Sequence, residues 1–76
     1  MDDVQETDLR EQLRLVDEEL AELRVEVGQL RAQVGERNDG PIDPAENAAV
    51  ITSVEEQEAL IDALEQRRAG LLRRLG

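Results

Sequence analysis

Leucine and valine recur along the first half of the chain with a fixed rhythm, at Leu9, Leu13, Val16, Leu20, Leu23, Val27, Leu30 and Val34. The steps alternate between four and three residues, which is the apolar seam of a heptad repeat and not the alternation of a strand. The second half carries the same steps through Val50, Val54, Gln57, Ile61, Leu64, Arg68, Leu71 and Leu75, with Gln57 and Arg68 as polar members. Between the two seams, Gly35-Glu36-Arg37-Asn38-Asp39-Gly40-Pro41-Ile42-Asp43-Pro44 concentrates Gly, Pro, Asn and Asp, the residues that turn a chain. Gly35 suits a helix C-terminus, and Asp43-Pro44-Ala45-Glu46 reads as N-cap, N1, N2 and N3 of a second helix.

An antiparallel hairpin requires facing residues to lie symmetrically about one point of the chain. Val34 with Val50, Leu30 with Val54, Val27 with Gln57, Leu23 with Ile61, Leu20 with Leu64, Val16 with Arg68, Leu13 with Leu71 and Leu9 with Leu75 all straddle Ile42, inside the turn cluster. The pattern therefore predicts an all-α fold, a two-helix antiparallel coiled-coil hairpin. It forms one domain over residues 1–76, with helix 1 at about 7–35, a turn at about 36–43 and helix 2 at about 44–75. Thr52-Ser53 followed by Glu56 is a second capping signal, so residues 44–52 form either the start of a continuous helix or a separate turn. Arms of this length reach roughly 40 Å at ~1.5 Å per residue.

The register makes local demands. It sets Gln57 against Val27 beside Gly28, where room for the amide would account for a glycine inside a helix. It sets Arg68 opposite Val16 near Asp17, where the stem can lie on the seam while the head reaches water. Leu15, Leu60 and Leu72 fall off the seam, and Leu15 and Leu72 lie towards the open end. A two-helix chain of this size buries little surface. That base is therefore expected to dock a partner protein or to form a homodimer, a four-helix bundle.

Composition narrows the chemistry. The chain has no Cys, no His and no aromatic residue, and its nine Arg, with no Lys, stand against nineteen acids for a net charge of −10. These absences exclude a thiol nucleophile, a thiolate or imidazole metal site, a base-stacking platform and lysine Schiff-base chemistry. The acidity argues against direct nucleic-acid binding, which depends on cationic charge. The acidic start, MDDVQETD, lacks the basic and apolar regions of a signal peptide, and no run approaches a membrane span. A soluble, cytoplasmic protein without membrane contact and without enzymatic activity is expected.

Three clusters remain. At the turn, Asp43 and Glu46, with Glu36 and Asp39 nearby, either cap the second helix or present carboxylates to a hard cation such as Mg²⁺. At the open end Arg67, Arg68, Arg73 and Arg74, joined by Arg10 and Arg14, either complement the C-terminal helix dipole or form a docking patch for an acidic partner. Along the arms Glu55-Glu56, Glu58, Asp62 and Glu65 face Asp17-Glu18-Glu19, Glu22 and Glu26, a solvated acidic face.

The run Asp43-Pro44-Ala45-Glu46-Asn47-Ala48, followed by Glu55 and Gln57, resembles the tip of bacterial RNA polymerase secondary-channel factors. In the Gre-type transcript-cleavage factors an antiparallel coiled coil carries a tip of the form D-x-x-E-N-A with E-x-Q downstream. Asp43, Glu46, Asn47, Ala48, Glu55 and Gln57 match it in order. DksA-type factors carry D-P-A-D-x-A at the same place, matched by Asp43, Pro44, Ala45 and Ala48, with Glu46 in place of the second Asp. The Gre C-terminal domain and the four-Cys zinc element of DksA-type factors have no counterpart in these 76 residues. The resemblance implies a regulator of transcription elongation with RNA polymerase as partner. Catalysis would be the polymerase's own, and Asp43 and Glu46 would contribute to a Mg²⁺ shared with it. The stretch Ile61-Asp62-Ala63-Leu64 with Arg67-Arg68 is also similar to the first helix of all-helical chorismate mutases. Such sites commonly use Lys, which this chain lacks, so the match is read as heptad coincidence.

Overall fold

A computed structural model describes residues 3–37 and 44–76. Two α-helices, α1 over Asp3–Arg37 and α2 over Pro44–Leu75, pack against each other along their length. The result is a rod of 60 × 14 × 14 Å, the antiparallel hairpin that the two seams predict.

Helix α1 starts before the expected residue 7 because its first turns are stabilised locally. Asp3 and Glu6 place negative charge at the positive end of the helix dipole. The Thr7 hydroxyl donates to the Asp3 carbonyl at 2.8 Å, and Arg10 Nη2 donates to Glu6 at 2.7 Å, one turn back. At its other end α1 runs through Gly35 to Arg37, so the helix does not end at the glycine. The two helices hold 35 and 32 residues. At ~1.5 Å per residue each reaches roughly 50 Å, longer than the 40 Å expected. Ile42, the point of symmetry, lies outside the described residues.

Helix α2 begins at Pro44 and is continuous, which settles the alternative at residues 44–52. The Thr52 hydroxyl donates to the Ala48 carbonyl at 3.0 Å, one turn back within the helix. It is therefore engaged inside α2 and does not cap a new helix start.

Every residue of both predicted seams is buried or half-buried. Leu9, Val16, Leu20 and Leu71 form the core cluster, with Leu13, Ile61, Leu64 and Leu75 packed against it. All of these belong to the half of the hairpin away from the turn. Val27 is also buried, at 5% exposure, but stands outside that cluster because its facing residue is Gln57. The seam extends beyond its apolar members: Glu6, seven residues before Leu13, and Asn47, seven before Val54, are half-buried too.

Gly28 departs from expectation. A β-carbon built there would meet nothing within 4 Å, and the residue is exposed. Gln57 thus occupies the seam without using space left by the glycine.

Candidate functional site

In heptad terms α1 places Leu13, Leu20, Val27 and Val34 at a, and Leu9, Val16, Leu23 and Leu30 at d. Helix α2 places Val54, Ile61, Arg68 and Leu75 at a, and Val50, Gln57, Leu64 and Leu71 at d. Two antiparallel seams that face each other bring e against e on one edge of the hairpin and g against g on the other.

The e edge is charge-matched. Arg24 Nη2 donates to Glu65 Oε1 at 2.8 Å, and seven residues on Arg31 pairs with Glu58. Arg68 Nε donates to Asp17 Oδ1 at 2.6 Å, the neighbour that the register assigned to it. Toward the open end this edge carries a groove lined by Asp17, Ala21, Arg24, Arg68, Ala69 and Leu72, among others. The supposed uniform acidic face is therefore divided, because Glu58, Glu65 and Asp17 are each taken up by an arginine across the hairpin.

The g edge is not matched. Glu19, Glu22 and Glu26 surround Leu23, Leu60 and Leu64 in a groove of about 280 Å³. None of the three acids has an ion pair among the described residues. Leu60 is 55% exposed.

At the open end the sequence-assigned docking residues separate. Arg68 is half-buried and held by Asp17, which leaves Arg67, Arg73 and Arg74 exposed and without an ion pair among the described residues. Arg10 and Arg14 are bound within α1, Arg10 by Glu6 and Arg14 by Glu11 and Glu18. The hydrogen bond from Arg14 holds the Glu11 carboxyl below its usual range, and the Arg14 guanidinium is correspondingly raised. Leu15 and Leu72, exposed at 47% and 41%, do not make one patch. Leu72 lines the e-edge groove beside Asp17. Leu15, two residues before Asp17, is turned about 200° from it around α1.

At the turn end Asp43 lies outside the described residues. Glu46 is exposed in the first turn of α2, where its charge favours the helix dipole. The remaining motif residues split between surface and seam. Glu55 is exposed and lines a groove with Arg31, Val34, Ile51, Val54 and Glu58. Asn47 and Gln57 are half-buried, and the Asn47 Oδ1 and Gln57 Oε1 atoms are buried without a hydrogen-bond partner. Glu55 stands roughly 13 Å along the axis from Glu46 at ~1.5 Å per residue, too far to share an ion with it. Among the described residues no group of three carboxylates is placed to hold a metal ion. Of the proposed cation-holding pair, Glu46 is thus positioned at the end of the rod.

The burial asymmetry of Asn47 and Gln57 was open to sequence reasoning in part. Gln57 was already on the seam, and one more heptad step back from Val54 reaches Asn47. The division of charge between the two edges needed the register to be applied to the flanking positions as well as to the seam.

Fold and surface together define the chain as a helical hairpin with one charge-matched edge and one edge of unpaired acids. No family model, curated protein or solved structure matches it. Among the described residues no helix is long and apolar enough to cross a membrane.

Proposed function

We propose that the protein is a finger-type regulator of transcription elongation that acts on RNA polymerase through the secondary channel, in the manner of Gre-type factors. The observation that carries this reading is the placement of Pro44-Ala45-Glu46-Asn47-Ala48, the part of the motif after Asp43, at the start of α2. The helix begins at Pro44, so Glu46 is exposed at one end of a rod 60 Å long and 14 Å wide. Asp43, one residue before the helix, would act with Glu46 on a Mg²⁺ shared with the polymerase. A carboxylate pair of that kind suits an ion that keeps water and substrate oxygens among its ligands. The chain itself supplies position and charge, and the polymerase supplies catalysis, in the cytoplasm.

The test is competition. The protein should bind core RNA polymerase and displace a Gre factor. Asp43→Asn with Glu46→Gln should abolish any stimulation of transcript cleavage while circular dichroism stays unchanged. Absence of binding at high protein concentration refutes the reading.

A second reading, an interaction module that homodimerises or docks a protein at its open end, is favoured by the exposure of Leu15 and Leu72. Light scattering of Leu15→Glu/Leu72→Glu beside wild type tests it. A lost dimer supports the reading, and a wild type already monomeric at high concentration refutes the homodimer.

A further inference from the structure

The two edges of the hairpin treat their charges in opposite ways. On the e edge Arg24 and Arg31 of α1 and Arg68 of α2 each pair with an acid on the opposite helix. On the g edge Glu19, Glu22 and Glu26 have no cation, although they sit close together on one helix. Like charges three or four residues apart on a helix repel and destabilise it. At the centre of these acids is a leucine that is more than half exposed, above a floor made by Leu23 and Leu64.

We propose that this g-edge groove is a docking site for a short cationic amphipathic helix of a partner protein. Such a helix would set an apolar side chain against Leu60, Leu23 and Leu64 and direct Arg or Lys towards Glu19, Glu22 and Glu26. The groove runs along the arms, and its acids span one heptad, roughly 10 Å at ~1.5 Å per residue, the length of about two helical turns. A third helix laid on a coiled-coil edge uses anchors at i, i+3, i+4 and i+7. Cations on either side of such an anchor row meet the acids of the rim.

Charge complementarity selects this occupant over a second copy of the chain. Two copies joined groove to groove would bring both sets of three glutamates together, in a protein that already carries −10, since Arg67 and Arg74, which share this edge, lie outside the groove toward the open end. The e-edge groove lacks this demand, since its charges are satisfied within the hairpin. The site lies along the arm, away from the tip, and does not depend on the polymerase reading.

The test uses the full chain, labelled with ¹⁵N, and a synthetic peptide with Leu at heptad spacing and Lys elsewhere. One control has the same composition in an order that scatters the leucines around the helix, and another has Glu in place of Lys. Saturable shifts centred on Leu23, Leu60 and Leu64 are expected, with binding at least about tenfold tighter than for either control. Leu60→Gln should weaken binding about tenfold without loss of helix, because the leucine is largely exposed. Glu19→Gln/Glu26→Gln should weaken it and reduce its salt dependence. The proposal is overturned by equal binding of the scattered peptide, by shifts centred on Glu55-Glu56 or on the e edge, or by indifference to Leu60→Gln. Self-association of the chain that Leu60→Gln abolishes would overturn it too, since the groove would then belong to a second copy.

Discussion

Replacing Gln57 by leucine should stabilise the hairpin. Gln57 occupies a d position, half-buried, facing Val27 at 5% exposure, and its Oε1 is buried without a donor. A buried acceptor left unpaired costs about 1–3 kcal/mol. Half of the burial of a leucine side chain adds about 1 kcal/mol, and the helix propensities of Gln and Leu are nearly equal. The gain worked from these contributions is about 2–4 kcal/mol. For a chain of this size each kcal/mol moves the thermal midpoint by about 4–8 °C. Urea unfolding of Gln57→Leu should show a raised midpoint at unchanged slope, because the surface exposed on unfolding hardly changes. Gln57→Glu should lose stability at neutral pH and recover it on acidification, since burial penalises the charged form. An unchanged or lowered midpoint for Gln57→Leu would refute the reasoning, and would mean that the amide is satisfied where it lies.

Other perturbations probe separate parts of the structure. Gly28→Ala should raise stability by about 0.8–1 kcal/mol in urea unfolding, because the new methyl meets open space and only helix propensity changes. A double-mutant cycle on Arg24 and Glu65 should return a coupling of about 0.5 kcal/mol that shrinks at high salt, as expected of a half-exposed ion pair. The Glu11 carboxyl is lowered by Arg14, so its stabilising contribution is present above the ordinary carboxylate range and is lost as pH falls through its lowered value. Wild type and Glu11→Gln should therefore differ in thermal midpoint at neutral pH and converge in acid. Amide exchange should be slowest between Leu9 and Leu20 and between Ile61 and Leu75, and faster toward the turn end of each helix, with a uniform profile as the contrary result.

The fold was legible because one physical requirement, the burial of a stripe on each of two helices, leaves a seven-residue trace in the sequence. That trace located both helices, their register and the Asp17–Arg68 contact. It located their ends less well. Asp3 and Glu6 extend α1 through dipole and side-chain contacts that leave no apolar period, and Gly35 proved compatible with helix despite its turn-like neighbours. The reading of Gly28 failed for another reason: a one-dimensional register gives neighbours but not directions. Gly28 and Gln57 are close in level along the axis, yet Gly28 turns to solvent. The same limit hid the separation of Leu15 from Leu72, which share an end of the rod and point to different edges. For the candidate tip, the motif fixes residue types, whereas their exposure follows from where they fall on the heptad. That is why Glu46 is presented while Asn47 and Gln57 turn inward.

The distribution of polar seam residues bears on what the rod can do. The buried leucines gather at the open end, and the turn half relies on Leu30 and the smaller Val27, Val34, Val50 and Val54, with two orphaned amide oxygens at Asn47 and Gln57. Burying apolar surface contributes about 25 cal/mol per Å², so leucine layers hold the helices together more strongly than valine layers interrupted by amides. The arm pair Arg31–Glu58 adds only the modest energy of an exposed ion pair to the weaker half. Stability thus falls from the open end toward the turn, and the end that carries Glu46 is the end the core supports least. A hairpin used only as a structural strut would gain from apolar residues at positions 47 and 57, since no steric demand at Gly28 requires the amide at Gln57. Asn47 and Gln57 can therefore leave their seam positions at little loss, while the leucine-packed open half keeps the two helices in register.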